Sequence, residues 1–392
     1  MLLLLCLLAF RACASASNAT FVSQLNGTLA HDTRQLGWAL KAAYEGLTFF
    51  DNFDFFSAED GLPLTPVVQY VPRDQAFGDG LAFWTQNGTP GIQAEHWKRL
   101  PVGEKRRSVR IVSKNAFAGG LFIFDMALLP HGCGVWPAVW MLGTGNNWPY
   151  AGEIDIIEGV HDPRQNQMTI HTAPGCMLSG SGSAYSGTRL NEDCDSSAGS
   201  VGCSIRSDSE ISYGAGFNLA GGGVFVLLWD GAGLKMWNWP RSAVPRDVVA
   251  RNPTPLAWGN PVAVFDRATC DPYTYFQAQV IIMNVNLCGD WAGSTYAASG
   301  CPGTCVERVA DPANLVNTVM IVNSVVVYQQ TDGRSGTRAA GTFDSTVGAS
   351  GPINPLRRLG AAQKRGSGGL WAAVAAVGAI IGFVSFTAIP LL

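Results

Sequence analysis

Charge is scarce in this sequence. Only 14% of the residues are Asp, Glu, Lys or Arg, and the formal net charge is −3. A nucleic-acid partner calls for a basic patch or stripe, and none is present. Long stretches of helical period are absent, as is the strand–helix alternation that a parallel α/β sheet needs. No internal repeat of fixed period appears. Close-set metal ligands are also lacking. Only Cys301-Pro-Gly-Thr-Cys305 brings two cysteines together, and no histidine lies nearby, so a zinc site finds too few ligands. Nothing in the sequence calls for a cofactor or a metal.

What is plentiful is glycine (46) and tryptophan (12). The apolar segments between about 33 and 328 are short and rich in β-formers: Val109–Val112, Leu121–Leu129, Val135–Leu142, Val224–Trp229, Val280–Asn286 and Val319–Tyr328. Gly, Pro, Asn and Asp clusters separate them and read as turns. About 300 residues of this kind without a break in composition predict one large all-β sandwich of two antiparallel sheets. A helical piece is expected around Leu36–Tyr44.

Both ends of the chain carry targeting patterns. Leu2 to Phe10 is apolar and leads into Ala14-Ser15-Ala16, so residues 1–16 are expected to be a signal peptide, too short to span a bilayer. Cys6 and Cys13 would leave with it. The eight remaining cysteines, Cys133, Cys176, Cys194, Cys203, Cys270, Cys288, Cys301 and Cys305, suit disulfides in a secreted chain, with the pairing open. Sequons at Asn18, Asn26 and Asn87 fit a glycoprotein. Residues 331–369 read as a flexible linker between a folded region (17–330) and an uncharged tail, 370–392. That tail is long enough to cross a membrane, and nothing follows it. It matches a GPI-attachment signal, with Gly360-Ala361-Ala362 or Ala349-Ser350-Gly351 as attachment sites. The rival is a transmembrane helix, which would leave Arg357, Arg358, Lys364 and Arg365 outside, against the positive-inside tendency. Either way the expected location is secreted and tethered to the outer face of the plasma membrane or cell wall, as a monomer.

The chemistry points to "AGEIDIIEGVH", residues 151–161. In a strand, Glu153 and Asp155 share one face while Ile154 points to the other. Strict alternation then sends Glu158 into the core, where an unpaired carboxylate is costly. A β-bulge at Ile156-Ile157 would return Glu158 to the face of the other two acids. Three carboxylates on one face repel one another and serve no purpose in stability. They suit glycoside hydrolysis, in which retaining enzymes use one carboxyl as nucleophile and a second as acid/base. A third acid between them can spread the pKa values. A calcium loop would place Asp, Asn and Gly where this stretch has isoleucine; a solvated acidic strand is the other alternative.

The stretch resembles the active-site strand of family 16 glycoside hydrolases, in the version with one extra residue, Glu-x-Asp-x-x-Glu. "FFDNFDFF" (49–56), "GCGVWPAVWMLG" (132–143), "NWPYAGEIDIIEGVH" (147–161), "MTIHT" (168–172), "MWNWPRSAVP" (236–245), "AWGNPVAVF" (257–265) and "CDPYTYFQAQVIIMNVNLCGDWAG" (270–293) resemble, in the same order, the fungal endo-1,3(4)-β-glucanases and laminarinases of that family. "DGLPLTP" (60–66) departs from the family pattern, far from the acids. The resemblance implies a concanavalin-like β-jelly roll with a glucan cleft on its concave side. It implies retaining hydrolysis of β-1,3 or mixed β-1,3-1,4 glucan, with Glu153 as nucleophile, Asp155 as assisting acid, Glu158 as acid/base and His171 as partner of Asp155. Flat aromatic rings stack on the apolar faces of pyranose units. Trp136 and Trp140, four apart in a strand, share a face. Together with Trp148, just before the acids, and Trp291 in "CGDWAG", they are expected to bind the β-glucan; Trp229, Trp237 and Trp258 are expected in packing. Transglycosylation with the same acids is the alternative activity. A carbohydrate-binding protein without catalysis would need no such pair of glutamates.

Overall fold

The computed structural model describes residues 37–57, 67–144, 148–179, 184–199 and 201–331. The expected signal peptide, most of the linker and the apolar tail lie outside them. The strands are β1 (Trp38–Glu45), β2 (Phe53–Phe55), β3 (Val68–Tyr70), β4 (Ala82–Trp84), β5 (Pro90–Gln93), β6 (Arg106–Ser108), β7 (Arg110–Phe117), β8 (Gly120–Leu128) and β9 (Val135–Gly143). They continue with β10 (Glu153–Glu158), β11 (Gln167–His171), β12 (Thr188–Asn191), β13 (Cys203–Arg206), β14 (Gly223–Asp230), β15 (Gly233–Pro240), β16 (Ala263–Asp266), β17 (Gln279–Leu287) and β18 (Val319–Gln330). All six segments expected to be strands fall in β7, β8, β9, β14, β17 and β18.

Two antiparallel sheets carry the fold. One runs β16-β15-β14-β8-β18-β5-β4, with β1 also paired to β18; the other runs β12-β13-β11-β10-β9-β17-β7-β2. Alternation sorts their side chains. In β17 the side chains alternate: Ile281, Met283, Val285 and Leu287 take one face and Val280, Ile282, Asn284 and Asn286 the other, and the apolar ones on both are buried in the main core. From the other sheet, Phe122, Phe124 and Met126 of β8 and Phe225, Leu227 and Trp229 of β14 join the same core. Each such side chain removed from water contributes about 1.5–3 kcal/mol. This layer holds the two sheets face to face. Trp229 and Trp237 are buried and Trp258 packs beside Trp237, as expected for packing residues.

The helix expected around Leu36–Tyr44 is not formed over 38–44, and Leu36 lies outside the described residues. Trp38–Glu45 is a strand, antiparallel to β18, with Ala43 opposite Val326 and Tyr44 opposite Val325. Alanine and leucine favour helix locally, but a segment this short gains little as an isolated helix. The valine-rich β18 offers it a ladder and a buried place for Tyr44. All eight cysteines pair: Cys133–Cys301, Cys176–Cys270, Cys194–Cys203 and Cys288–Cys305.

Candidate active site

Strand β10 supplies the three acids, and β9 fixes their direction. Glu153 lies opposite Leu142, Asp155 opposite Trp140 and Glu158 opposite Ala138. Those β9 residues keep 5–7% exposure and alternate with Val139 and Met141, which keep none. Ile154 sits opposite Met141 and Ile157 opposite Val139. Glu153, Asp155 and Glu158 therefore share the face away from the core. The register slips between Asp155 and Ile157 against β9, and between Asp155 and Glu158 against β11. Ile156 and Ile157 together face the single Met168, a β-bulge at the doublet where alternation required one.

Neighbouring strands supply the partners. His171 lies opposite Glu153 on β11, and its Nε2 is 3.3 Å from Asp155 Oδ2. Its Nδ1 is 2.9 Å from the Ser196 hydroxyl. Each glutamate receives one indole N–H: Trp148 donates to Glu153 Oε2 at 2.6 Å, and Trp136 donates to Glu158 Oε1 at 2.8 Å. Glu153, Asp155 and His171 present ligand atoms within 4.8 Å of one another, the one trio of that density among the described residues.

Burial drives the electrostatics. It raises Glu153, Asp155 and Glu158 each to about 8. The charge of Asp155 adds to the rise at both glutamates, while His171 and the indole donors oppose it. Asp155 has burial and no comparable opposing influence. The cluster thus titrates as a unit that keeps protons near neutrality. Chemically it can hold one carboxylate ionised beside a protonated one, the combination that acid-assisted displacement at a sugar carbon requires.

The tryptophans divide. Trp136, Trp148 and Trp291 are partly open; Trp136 and Trp291 meet edge to face at 6.0 Å, and Trp148 lies 5.9 Å from the His171 ring. Trp140 corrects the expectation of an open stacking ring. It faces the acids' side but is only 7% exposed. Its N–H is taken by Asn284 Oδ1 at 2.8 Å, and the Arg110 guanidinium lies 5.7 Å from its ring centre. Trp140 is a floor under the face, leaving little ring for a sugar. Arg110 and Asn284, opposite each other on β7 and β17, are site residues that the sequence reading missed. Their signal was present: Asn284 and Asn286 recur with period two in an otherwise apolar strand. Arg110 also stands 4.7 Å from the Tyr70 ring and 5.5 Å from Phe56, extending the polar and aromatic floor beyond β17.

Two antiparallel sheets, with clustered carboxyls and indoles on one outward face, define the class: a β-jelly-roll glycoside hydrolase. A family model described as "XgeA-like, catalytic GH16 domain" matches residues 53–328. The chain belongs to glycoside hydrolase family 16. It is 40% identical over 297 residues to a "Probable glycosidase" of Schizosaccharomyces pombe, covering 74% of this chain and 69% of that one. It spans just under half the length of the curated Aspergillus relatives it matches, such as the A. flavus protein named "Probable endo-1,3(4)-beta-glucanase" (37% identical, covering 76% of this chain and 45% of that one). Among solved structures, laminarinase 16A from Phanerochaete chrysosporium, with β-glucans in donor and acceptor sites, superposes with a TM-score of 0.69 at 36% identity, covering 74% of this chain and 99% of that one. An elongating family 16 β-1,3-glucosyltransferase gives 0.70 at 35% identity, covering 74% and 100%.

Proposed function

We propose that the chain is a retaining endo-β-glucanase acting on β-1,3 or mixed β-1,3-1,4 glucan. The observation that carries this reading is the bulged strand β10, which sets three carboxyls on one face of the sheet with a separate indole donor on each glutamate. Glu153 attacks the anomeric carbon as nucleophile while Glu158 gives its proton to the departing glycosidic oxygen. Glu158, now ionised, then takes a proton from the water that hydrolyses the glycosyl-enzyme. Asp155, the acid with the fewest influences favouring its charge, holds a proton beside Glu153 with His171 against it. Trp136, Trp148 and Trp291 stack on the sugars. The likeness to the glucan-bound laminarinase and to the curated glucanases supports the substrate class.

Substituting Glu153→Gln should lower turnover on laminarin and lichenan by roughly three orders of magnitude or more. Wild-type cleavage by that variant would remove Glu153 from the mechanism. A second reading, transfer of the glycosyl group to another glucan in place of water, is supported by the likeness to the elongating glucosyltransferase; products longer than the starting oligosaccharide would favour it. We also propose that the enzyme is secreted and tethered by its tail. The sequence patterns at 1–16 and 370–392 and the four disulfides support this. A phosphatidylinositol-specific phospholipase should release it from membranes; retention after treatment would favour a transmembrane helix.

A further inference from the structure

The bulge that aims Glu158 breaks the hydrogen-bonded ladder between β10 and β11, and one side chain repairs the break. Asn166 stands just before β11 and is fully buried. Its Oδ1 accepts the backbone N–H of Glu158 at 3.1 Å, and its Nδ2 donates to the backbone C=O of Ile156 at 2.8 Å. These are the groups left without a ladder partner where two β10 residues face one on β11. The amide acts as a substitute peptide unit, with acceptor and donor in the order the bulge needs.

Asn166 is itself held from the opposite side. Its N–H donates to the Ser212 hydroxyl at 2.9 Å, and that hydroxyl donates to Ser209 C=O at 2.7 Å. Its C=O accepts the N–H of Ser207 at 2.8 Å. Every polar group of Asn166 is therefore engaged, two with the segment 207–212 and two with the bulge. Asp155, His171 and Trp136 face the Glu158 carboxyl, and Glu153 and Tyr213, the latter next to Ser212, lie within its electrostatic reach. None of these fixes the Glu158 backbone as Asn166 does.

We infer that Asn166 is a positioning residue for the reaction: it locks the Ile156–Glu158 bulge and so sets the direction of the Glu158 carboxyl toward the glycosidic oxygen. The inference rests on the proposed role of Glu158. It predicts a loss in turnover without a comparable loss in substrate binding, because the tryptophans stay in place. Asn166→Asp is close to isosteric. As a carboxylate it still accepts from Glu158 N–H but sets an acceptor against Ile156 C=O; once protonated it restores both bonds.

The test uses the full chain and laminari-oligosaccharides. Asn166→Asp and Asn166→Ala, each checked for cooperative melting, should show kcat lowered about ten- to a hundredfold with KM changed less than threefold. The activity of Asn166→Asp relative to wild type should recover as pH falls, whereas Asn166→Ala should not recover. Wild-type kcat in a folded Asn166→Ala, or a wild-type profile in a folded Asn166→Asp carried to alkaline pH where the carboxyl is ionised, would overturn the inference. Glu158→Gln serves as the control for the underlying reading: if it keeps wild-type turnover, the role of Glu158 fails first; if it is inactive while both Asn166 variants are normal, only the positioning role fails. Should neither Asn166 variant fold, amide exchange in the wild type decides. The Glu158 N–H should be strongly protected, and exchange as fast as in exposed loops would contradict the clamp.

Discussion

At Glu158, burial and the charge of Asp155 raise the pKa to about 8 while the Trp136 N–H pulls it down. The signs make a test. In the proposed role of acid in the first step, Glu158 must carry its proton, so activity should fall as pH rises through its pKa. The indole N–H favours the ionised form. Removing it by Trp136→Phe should raise the pKa and move the basic limb of the kcat profile to higher pH, by about one unit if the bond contributes about 1.4 kcal/mol. A KM increase would accompany it if the ring also stacks on sugar. An unmoved or lowered basic limb would show that Glu158 is not the proton donor. Trp148 stands in the same relation to Glu153, but there it favours the ionised form that the proposed nucleophile needs.

Strand β10 shows how much of an element can be read before its structure. Glu153, Asp155 and Glu158 could share a face only through a bulge, and the apolar doublet Ile156-Ile157 marked where it had to fall. Alternation decides such questions because a one-residue slip exchanges core and solvent faces. Alternation says nothing about what repairs the slip: Asn166 acts through its side chain across the strand gap, and no local pattern in "PRQNQ" sets it apart. The depth of Trp140 was hidden for a similar reason, since it depends on Asn284 and Arg110 arriving from β17 and β7. The short strand β1 was misread because its partner, β18, lies almost 300 residues away. Turn geometry adds a further control on the site. Gly202, just before β13, has φ +79°, and a Cβ there would sit 2.6 Å from both His171 Nδ1 and Ile170 O. Gly202→Ala should destabilise the protein by roughly 1–3 kcal/mol and lower kcat on the order of ten- to a hundredfold by displacing His171 from Asp155. Melting and steady-state kinetics on one preparation would check both; unchanged turnover would argue that His171 does not support Asp155.

At the scale of the whole molecule, the two sheets divide the work. The first, β16-β15-β14-β8-β18-β5-β4, closes the core and carries a second apolar cluster on its other side, where Leu121, Ile123, Val224 and Val226 pack with Trp237. The second keeps one face for the core and offers the other to substrate. The disulfides Cys133–Cys301 and Cys288–Cys305 flank Trp136 and Trp291, tying the loop that carries Trp291 to the start of β9. The central claim is that two glutamates of one bulged strand act in sequence through a covalent glycosyl-enzyme, and such double displacement leaves the anomeric configuration unchanged. Proton NMR of the reducing ends in the first minutes of laminarin cleavage tests it most directly. The account predicts the β-anomer first, with the α-anomer appearing only as mutarotation proceeds. An α-anomer released first would mean direct attack by water and would contradict it.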